Sequence, residues 1–261
     1  IKGQLAVSIH HQMSSTASLA SGEFSRLMYD KKHPNYEVPF KEMLETLEAT
    51  TLEDVKQFYK ENYGPRQFVV VAVGDIDHAA LVEGVKQHFG DWQTNAKEAS
   101  YEKTVALKEG TRKVLDVPGK NNLDVYFGHA LPLYRHEPDY LAASVASYVL
   151  GGDFSSRLSD TVRDVYGLTY SIYSRTSGSA EDIQGVWVIQ MITTPPLLEK
   201  GIEETLKQVQ LFREHGVSQD ELEGRKSSII GRYSVGLSTT RGLASQIRRM
   251  EDLKLGLHYI D

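Results

Sequence analysis

Residues 151 to 174, GGDFSSRLSDTVRDVYGLTYSIYS, run a helix into a glycine stop and straight on into a strand. No other feature constrains the fold as much, because the strand must return against the helix it has just left. With Tyr166 as C-cap and Gly167 in the left-handed conformation, Arg163 is the C3 residue and Leu168 the C″ residue, which a Schellman turn brings into contact. Tyr170, two positions along the strand, emerges on the same side as Leu168. The spacing therefore sets a guanidinium and a phenol beside a sharp turn, where both can donate hydrogen bonds to one carbonyl oxygen or to the oxyanion it becomes. The same residues admit a plainer reading. Arg163 then complements the negative end of its own helix and Tyr170 packs in the core with its hydroxyl satisfied.

The rest of the chain predicts an α+β fold. Residues 2 to 12 and 16 to 29 read as helices, and His33, Pro34 and Asn35 break the pattern. Thr51 with Asp54 three residues on makes a capping box for a helix from Leu52 to Tyr63, stopped by Gly64 and Pro65. The β-branched run FVVVAV, residues 68 to 73, predicts a strand covered on both faces, after which Asp77 caps a helix that Gly90 ends. The polar stretch between Asp91 and Gly110 has no apolar periodicity and is the candidate linker, placed at 96 to 110.

A second unit follows from 111 to 261, after a first unit at 1 to 95. Strands are expected at 111 to 117, 123 to 131, 169 to 176 and 185 to 193, with Leu123, Val125, Phe127, His129 and Leu131 on one face of the second. Helices are expected at 138 to 149 and about 155 to 165. Another is opened by Pro195 and Pro196, with Leu198, Ile202, Leu206, Val209 and Phe212 along one buried face. Ser218 and Glu221 form the clearest capping box, Val217 can staple onto Leu222, and a last helix spans 240 to 256. Strand pairs lie close enough in sequence to be antiparallel, which favours α+β over a doubly wound parallel sheet.

Chemistry is narrowed mainly by what is missing. The 261 residues include no cysteine, so thiolate metal sites and cysteine nucleophiles are excluded. A net charge of −6, with no basic stripe, makes nucleic acid an unsuitable partner. No apolar run approaches the length of a membrane span, and compartment is left open. Gly151 and Gly152 lack the surroundings of a phosphate loop, and Ser155 and Ser156 sit in no Gly-x-Ser-x-Gly, so a tight turn and first-turn capping are expected there. His129 on an apolar strand face reads as a hydrogen-bonded core histidine. Phe58, Tyr59 and Tyr63 read as packing, and Glu53, Asp54 and Glu61 as solvated helix faces.

The run LGGDFSSRLSDTVRDVYGLTYSIYSR resembles the C-terminal-domain signature of the M16 zinc metallopeptidases, the group containing insulin-degrading enzyme, pitrilysin and mitochondrial processing peptidase. HPNY at 33 to 36, TLEDVKQFYKENYGP, VVVAVGDID and FGDW resemble the end of one M16 domain. LDVYFGHALP, DYLAASVASYVLGG and HGVSQDELEGRKSSIIGRYSV resemble the body of the next. The resemblance implies two related αβ domains, each an antiparallel sheet packed with helices. It further implies that Arg163 and Tyr170 reach into the cleft and hold the substrate carbonyl, since the Arg-x₆-Tyr pattern is intact.

The zinc motif of that family, His-x-x-Glu-His with a distal Glu, is not in the sequence. His10 and His11 are adjacent, no other histidines make an i, i+4 pair, and Val7 and Ser8 stand near the place of the distal Glu. The chain opens on what reads as a helix interior (Leu5, Val7, Ile9) and stops at LGLHYID, so both domains are expected to be truncated. The expectation is a non-catalytic, substrate-clamping half with no metal of its own. Zinc would sit on a partner catalytic half, in the same polypeptide or a separate subunit, and an unfolded peptide would be the substrate. The alternative is a catalytically inactive scaffold or peptide-binding protein, like the core proteins of the respiratory bc₁ complex.

Overall fold

The computed structural model describes residues 1–65, 68–93, 100–106, 108–180, 182–253 and 255–256. Its helices are α1 (Lys2–Met13), α2 (Thr16–Met28), α3 (Phe40–Ala49), α4 (Leu52–Asn62), α5 (His78–Phe89), α6 (Pro138–Gly151), α7 (Leu198–His215), α8 (Gln219–Leu237) and α9 (Thr240–Asp252). A π-helix occupies Ser159–Val165, and a single 3₁₀ turn, Pro195–Leu197, leads into α7. Strands β1 (Leu123–Leu131), β2 (Ser171–Ser177) and β3 (Gly185–Thr193) form an antiparallel sheet in the order β1-β3-β2. The α+β class expected from the sequence is the one observed.

Packing groups the chain into two units, residues 1–45 with 101–228, and 46–100 with 229–261. The first contains the sheet. Leu123 lies opposite Thr193 and Leu131 opposite Gly185, while Ser171 lies opposite Ile192. Side chains alternate across a strand, so this register sends Ile172, Ile189 and Met191 to one face. There they join Leu150, Leu158, Val162 and Leu168 in a buried core, with Val125, Phe127, Ile202, Val209 and Phe212 at its margin. Ala130 and Val186 point to the other face and pack with Tyr29, Val105, Phe24 and Met28. Helix α2 is fixed on that side by Phe24 against Tyr126, 5.9 Å between ring centroids, and by Thr16 donating to Asp124 at 2.7 Å.

A polar seam joins α6 to β2. Ser147 and Ser174 share a 2.7 Å hydroxyl contact, Trp187 Nε1 donates to Ser174 at 2.9 Å, and Ser144 meets Thr176 at 3.0 Å. The backbones come close enough that a Cβ on Gly151 would stand 2.5 Å from the Ser174 nitrogen. Buried hydroxyls are tolerated here because they satisfy one another.

In the second unit the Thr51–Asp54 capping box forms as expected, and Asp77 accepts from Ala79 and Ala80 at 2.8 and 3.0 Å. Phe68, Phe89 and Trp92 make a small aromatic group with centroids 4.7 to 6.3 Å apart.

Several expectations fail in instructive ways. Residues 68–73 and 111–117 are not strands, because no described residue pairs with them; Val69, Val70 and Val114 are exposed. Helix α3 was not expected, although Phe40, Met43, Leu44 and Leu47 have its spacing. His129 is exposed at the end of β1, its Nδ1 2.7 Å from the Ala130 carbonyl, and so is no core histidine. Leu206 points outward and Thr205 takes the buried position on α7, its hydroxyl donating to the Gly201 carbonyl at 2.7 Å. Phe58, Tyr59 and Tyr63 are exposed and pack mainly on each other. Helix α9 ends at Asp252, short of Gly256. The expected linker runs partly through residues 96–99 and 107, outside the described residues.

Candidate functional site

Arg163 lies in the last turn of the π-helix and Tyr170 just ahead of β2. The helix is wide along its whole length, Ser159–Val165. Thr161 Oγ1 donates to the Arg157 carbonyl at 2.6 Å, competing with the regular ladder, and the Tyr166 nitrogen then reaches Thr161 O at 3.0 Å, five residues back. Gly167 has φ +62°, the left-handed conformation the sequence requires. The expected Schellman pattern is not the one formed. The Gly167 nitrogen donates to Arg163 O (3.0 Å), the simpler αL closure, and Leu168 nitrogen reaches back to Val162 O (2.9 Å) because the wide turn shifts the partners by one.

This turn brings Arg163 to residue 170 through the backbone. Arg163 Nε donates to the Tyr170 carbonyl at 3.0 Å, Nη1 contacts Asp164 at 3.1 Å, and the guanidinium carbon lies 5.2 Å from the Phe154 ring centroid. The Arg163 side chain is 35% exposed, and its Nη2 has no hydrogen-bond partner among the described residues. Tyr170 is 81% exposed with no partner for its hydroxyl among the described residues, so it is not a core tyrosine. Two donors, one on a guanidinium and one on a phenol, are thus left to outside acceptors.

Residues that sequence reading passed over hold this stretch in place. Arg157, near the start of the same helical segment, makes a forked contact with Glu221 (2.9 and 2.7 Å) and also donates to Gly216 O at 3.2 Å. The Arg157 guanidinium, aided by the Ser218 amide and hydroxyl, holds the Glu221 carboxyl down at about 2. Arg225 binds both oxygens of Asp153 at 2.6 and 2.7 Å. Asp153 in turn accepts from the Ser155 amide and the Tyr148 hydroxyl, so it organises the turn at 151–156, where the sequence predicts a tight glycine turn and first-turn capping by Ser155 and Ser156. The signal for Arg157 and Glu221 was present only in part. Glu221 is visible as a cap, but its second partner lies 64 residues away.

Among the described residues there is no group of three or more His, Asp or Glu side chains placed to hold a metal ion, so the residues present do not fit a zinc site. No helix among them is long and apolar enough to cross a membrane.

The model of a family described as the Peptidase M16 inactive domain matches residues 49–229. The chain belongs to that family. An uncharacterized zinc protease of Streptomyces coelicolor is 28% identical over 214 residues, covering 80% of this chain and 46% of the relative. A Helicobacter pylori protein named a non-peptidase homolog, YmxG, is 29% identical over 190 residues, covering 72% of this chain and 42% of its own length. The chain therefore spans about half the length of the curated relatives it matches. A crystal structure of a peptidase M16 inactive domain from Pseudomonas fluorescens superposes with a TM-score of 0.82 at 21% identity, over 99% of this chain and 61% of that one. That likeness supports the inactive-domain M16 fold.

Proposed function

We propose that this chain is the non-catalytic half of an M16-type zinc endopeptidase, closing a chamber over an unfolded peptide and offering Arg163 and Tyr170 to the scissile carbonyl. Zinc and the general base would belong to a partner half, and the division of the chain into a first repeat ending near residue 95 and a second beginning near 111 is part of the same proposal. The observation that carries the reading is the pair of donors without partners among the described residues, Arg163 Nη2 and the Tyr170 hydroxyl, on a turn braced by Gly167 and by the Nε contact to Tyr170 O. As a carbonyl becomes an oxyanion its hydrogen bonds strengthen, so donors fixed beforehand favour the transition state over the bound substrate. In the reconstituted assembly, Arg163→Ala and Tyr170→Phe should each lower peptide turnover about 100-fold while zinc content stays unchanged. Wild-type turnover in both would refute the role.

A scaffold or peptide-binding reading is favoured by one observation, the relative named a non-peptidase homolog. The two readings part on whether the parent gene or its neighbour encodes His-x-x-Glu-His. Finding the motif in neither would select the scaffold.

A further inference from the structure

Phe154 is 61% exposed, although burying a phenylalanine is worth roughly 1.5 to 3 kcal/mol. It is not exposed for want of order around it. The Arg225–Asp153 ion pair is four-fifths buried on both sides, Arg225 Nη2 donates to Ser155 O at 3.0 Å, and Gly151 lies against Ser174. The turn is fixed, and it holds its one large apolar side chain outward. The ring meets Tyr173 edge to face at 6.4 Å, and the Arg163 guanidinium lies over it. Tyr173, on β2, is itself 37% exposed. Phe154 and Tyr173 thus continue the surface on which Arg163 presents its guanidinium.

We propose that Phe154 and Tyr173 form an aromatic ledge that receives a large apolar or aromatic side chain of the peptide, next to the carbonyl held by Arg163. The inference rests on the function proposed above and adds a substrate preference to it. In an extended peptide, consecutive Cα atoms are about 3.8 Å apart, so the side chains flanking a gripped carbonyl lie about as far from the guanidinium as the Phe154 ring does. An aromatic side chain there gains offset or edge-on ring contacts and removes exposed phenyl surface from water. An acidic side chain is disfavoured, because Asp164 already occupies the Arg163 Nη1 and brings its own negative charge.

The test uses the full-length protein with its catalytic half and two quenched fluorescent peptides, identical except for Phe or Ala on both sides of the scissile bond. Phe154→Ala should cut kcat/KM about 10-fold on the Phe peptide, mainly through KM, and leave the Ala peptide within about 2-fold, with Phe154→Leu recovering most of the loss. Equal losses on both peptides would mean that the ring only seats Arg163, and an unchanged preference would mean no ledge; either overturns the inference. Arg163→Ala should lower both peptides alike. If it does not, while Phe154→Ala still removes the preference, the clamp fails and the ledge stands. If the wild-type assembly cleaves neither peptide, fluorescence anisotropy of the labelled peptides gives the same readout. Equal affinity for both would then overturn the ledge, and a Phe preference abolished by Phe154→Ala would support it.

Discussion

Gly167 and Gly151 are indispensable for opposite reasons, and the difference can be measured. At Gly167 an added Cβ meets nothing within 4 Å, but φ is +62°, so the cost of a side chain is conformational. Gly167→Ala should lower stability by about 1 to 2 kcal/mol in urea titrations without altering the packed core. At Gly151 the backbone is helical and the obstruction is the Ser174 nitrogen at 2.5 Å. Gly151→Ala must push α6 off β2, at a cost of about 1 to 3 kcal/mol, and should change the near-ultraviolet signal of Trp187, which the same seam anchors. A reversal of these two signatures would show that the turn, not the seam, is the tight contact. Gly167 was legible in the sequence because a helix stop needs a left-handed residue. The demand on Gly151 comes from a strand more than twenty positions later and leaves no local trace.

Elements were legible where their signals are local. Both capping boxes, at Thr51 and Ser218, form with the residues expected, since a cap involves only three or four neighbours. The FVVVAV run failed because a strand is defined by its partner, and no described residue supplies one. Thr205 replaced Leu206 in the buried face of α7 because a hydroxyl bonded one turn back to Gly201 O can be buried with its polarity satisfied. The Ser218 box also carries something that spacing alone cannot show, the forked Arg157–Glu221 pair that ties the start of α8 to the segment bearing Arg163. Glu221 sits at about 2, below its ordinary 4.5, because Arg157 and Ser218 favour the charged form. A depressed carboxylate stabilises the fold fully above its unfolded value and loses that contribution as pH falls through its folded value. Wild-type stability should therefore decline from about pH 5 toward pH 2. Glu221→Gln should be less stable at neutral pH and show a shallower decline in thermal melts across that range. Parallel pH curves would assign the ion pair no part in acid sensitivity.

On the scale of the whole molecule, although 111–117 forms no strand beside β1, the α+β class followed from the short connection between β2 and β3, which leaves no room for a crossover helix. The seating of α2 on the far face of the sheet did not, because Thr16 and Asp124 are 108 residues apart. The candidate site divides along the same line. Arg163 and Tyr170 were singled out because their spacing resembles the M16 Arg-x₆-Tyr pattern, whereas Phe154 stands out only once the contacts that hold its turn are seen. This chain offers donors and an apolar surface, but among its described residues no cluster to hold a metal ion. Hydrogen-bond donors can stabilise an oxyanion only after a nucleophile has attacked, and nothing described in this chain activates water. The purified chain with added zinc should therefore leave unfolded peptides intact and retain no stoichiometric zinc after dialysis, measured by atomic emission. Adding the catalytic half should restore cleavage that Arg163→Ala then lowers. Zinc-dependent cleavage by the chain alone would place the reactive centre within it and reverse the division of labour, since the two donors would then serve a metal bound by residues of the same chain.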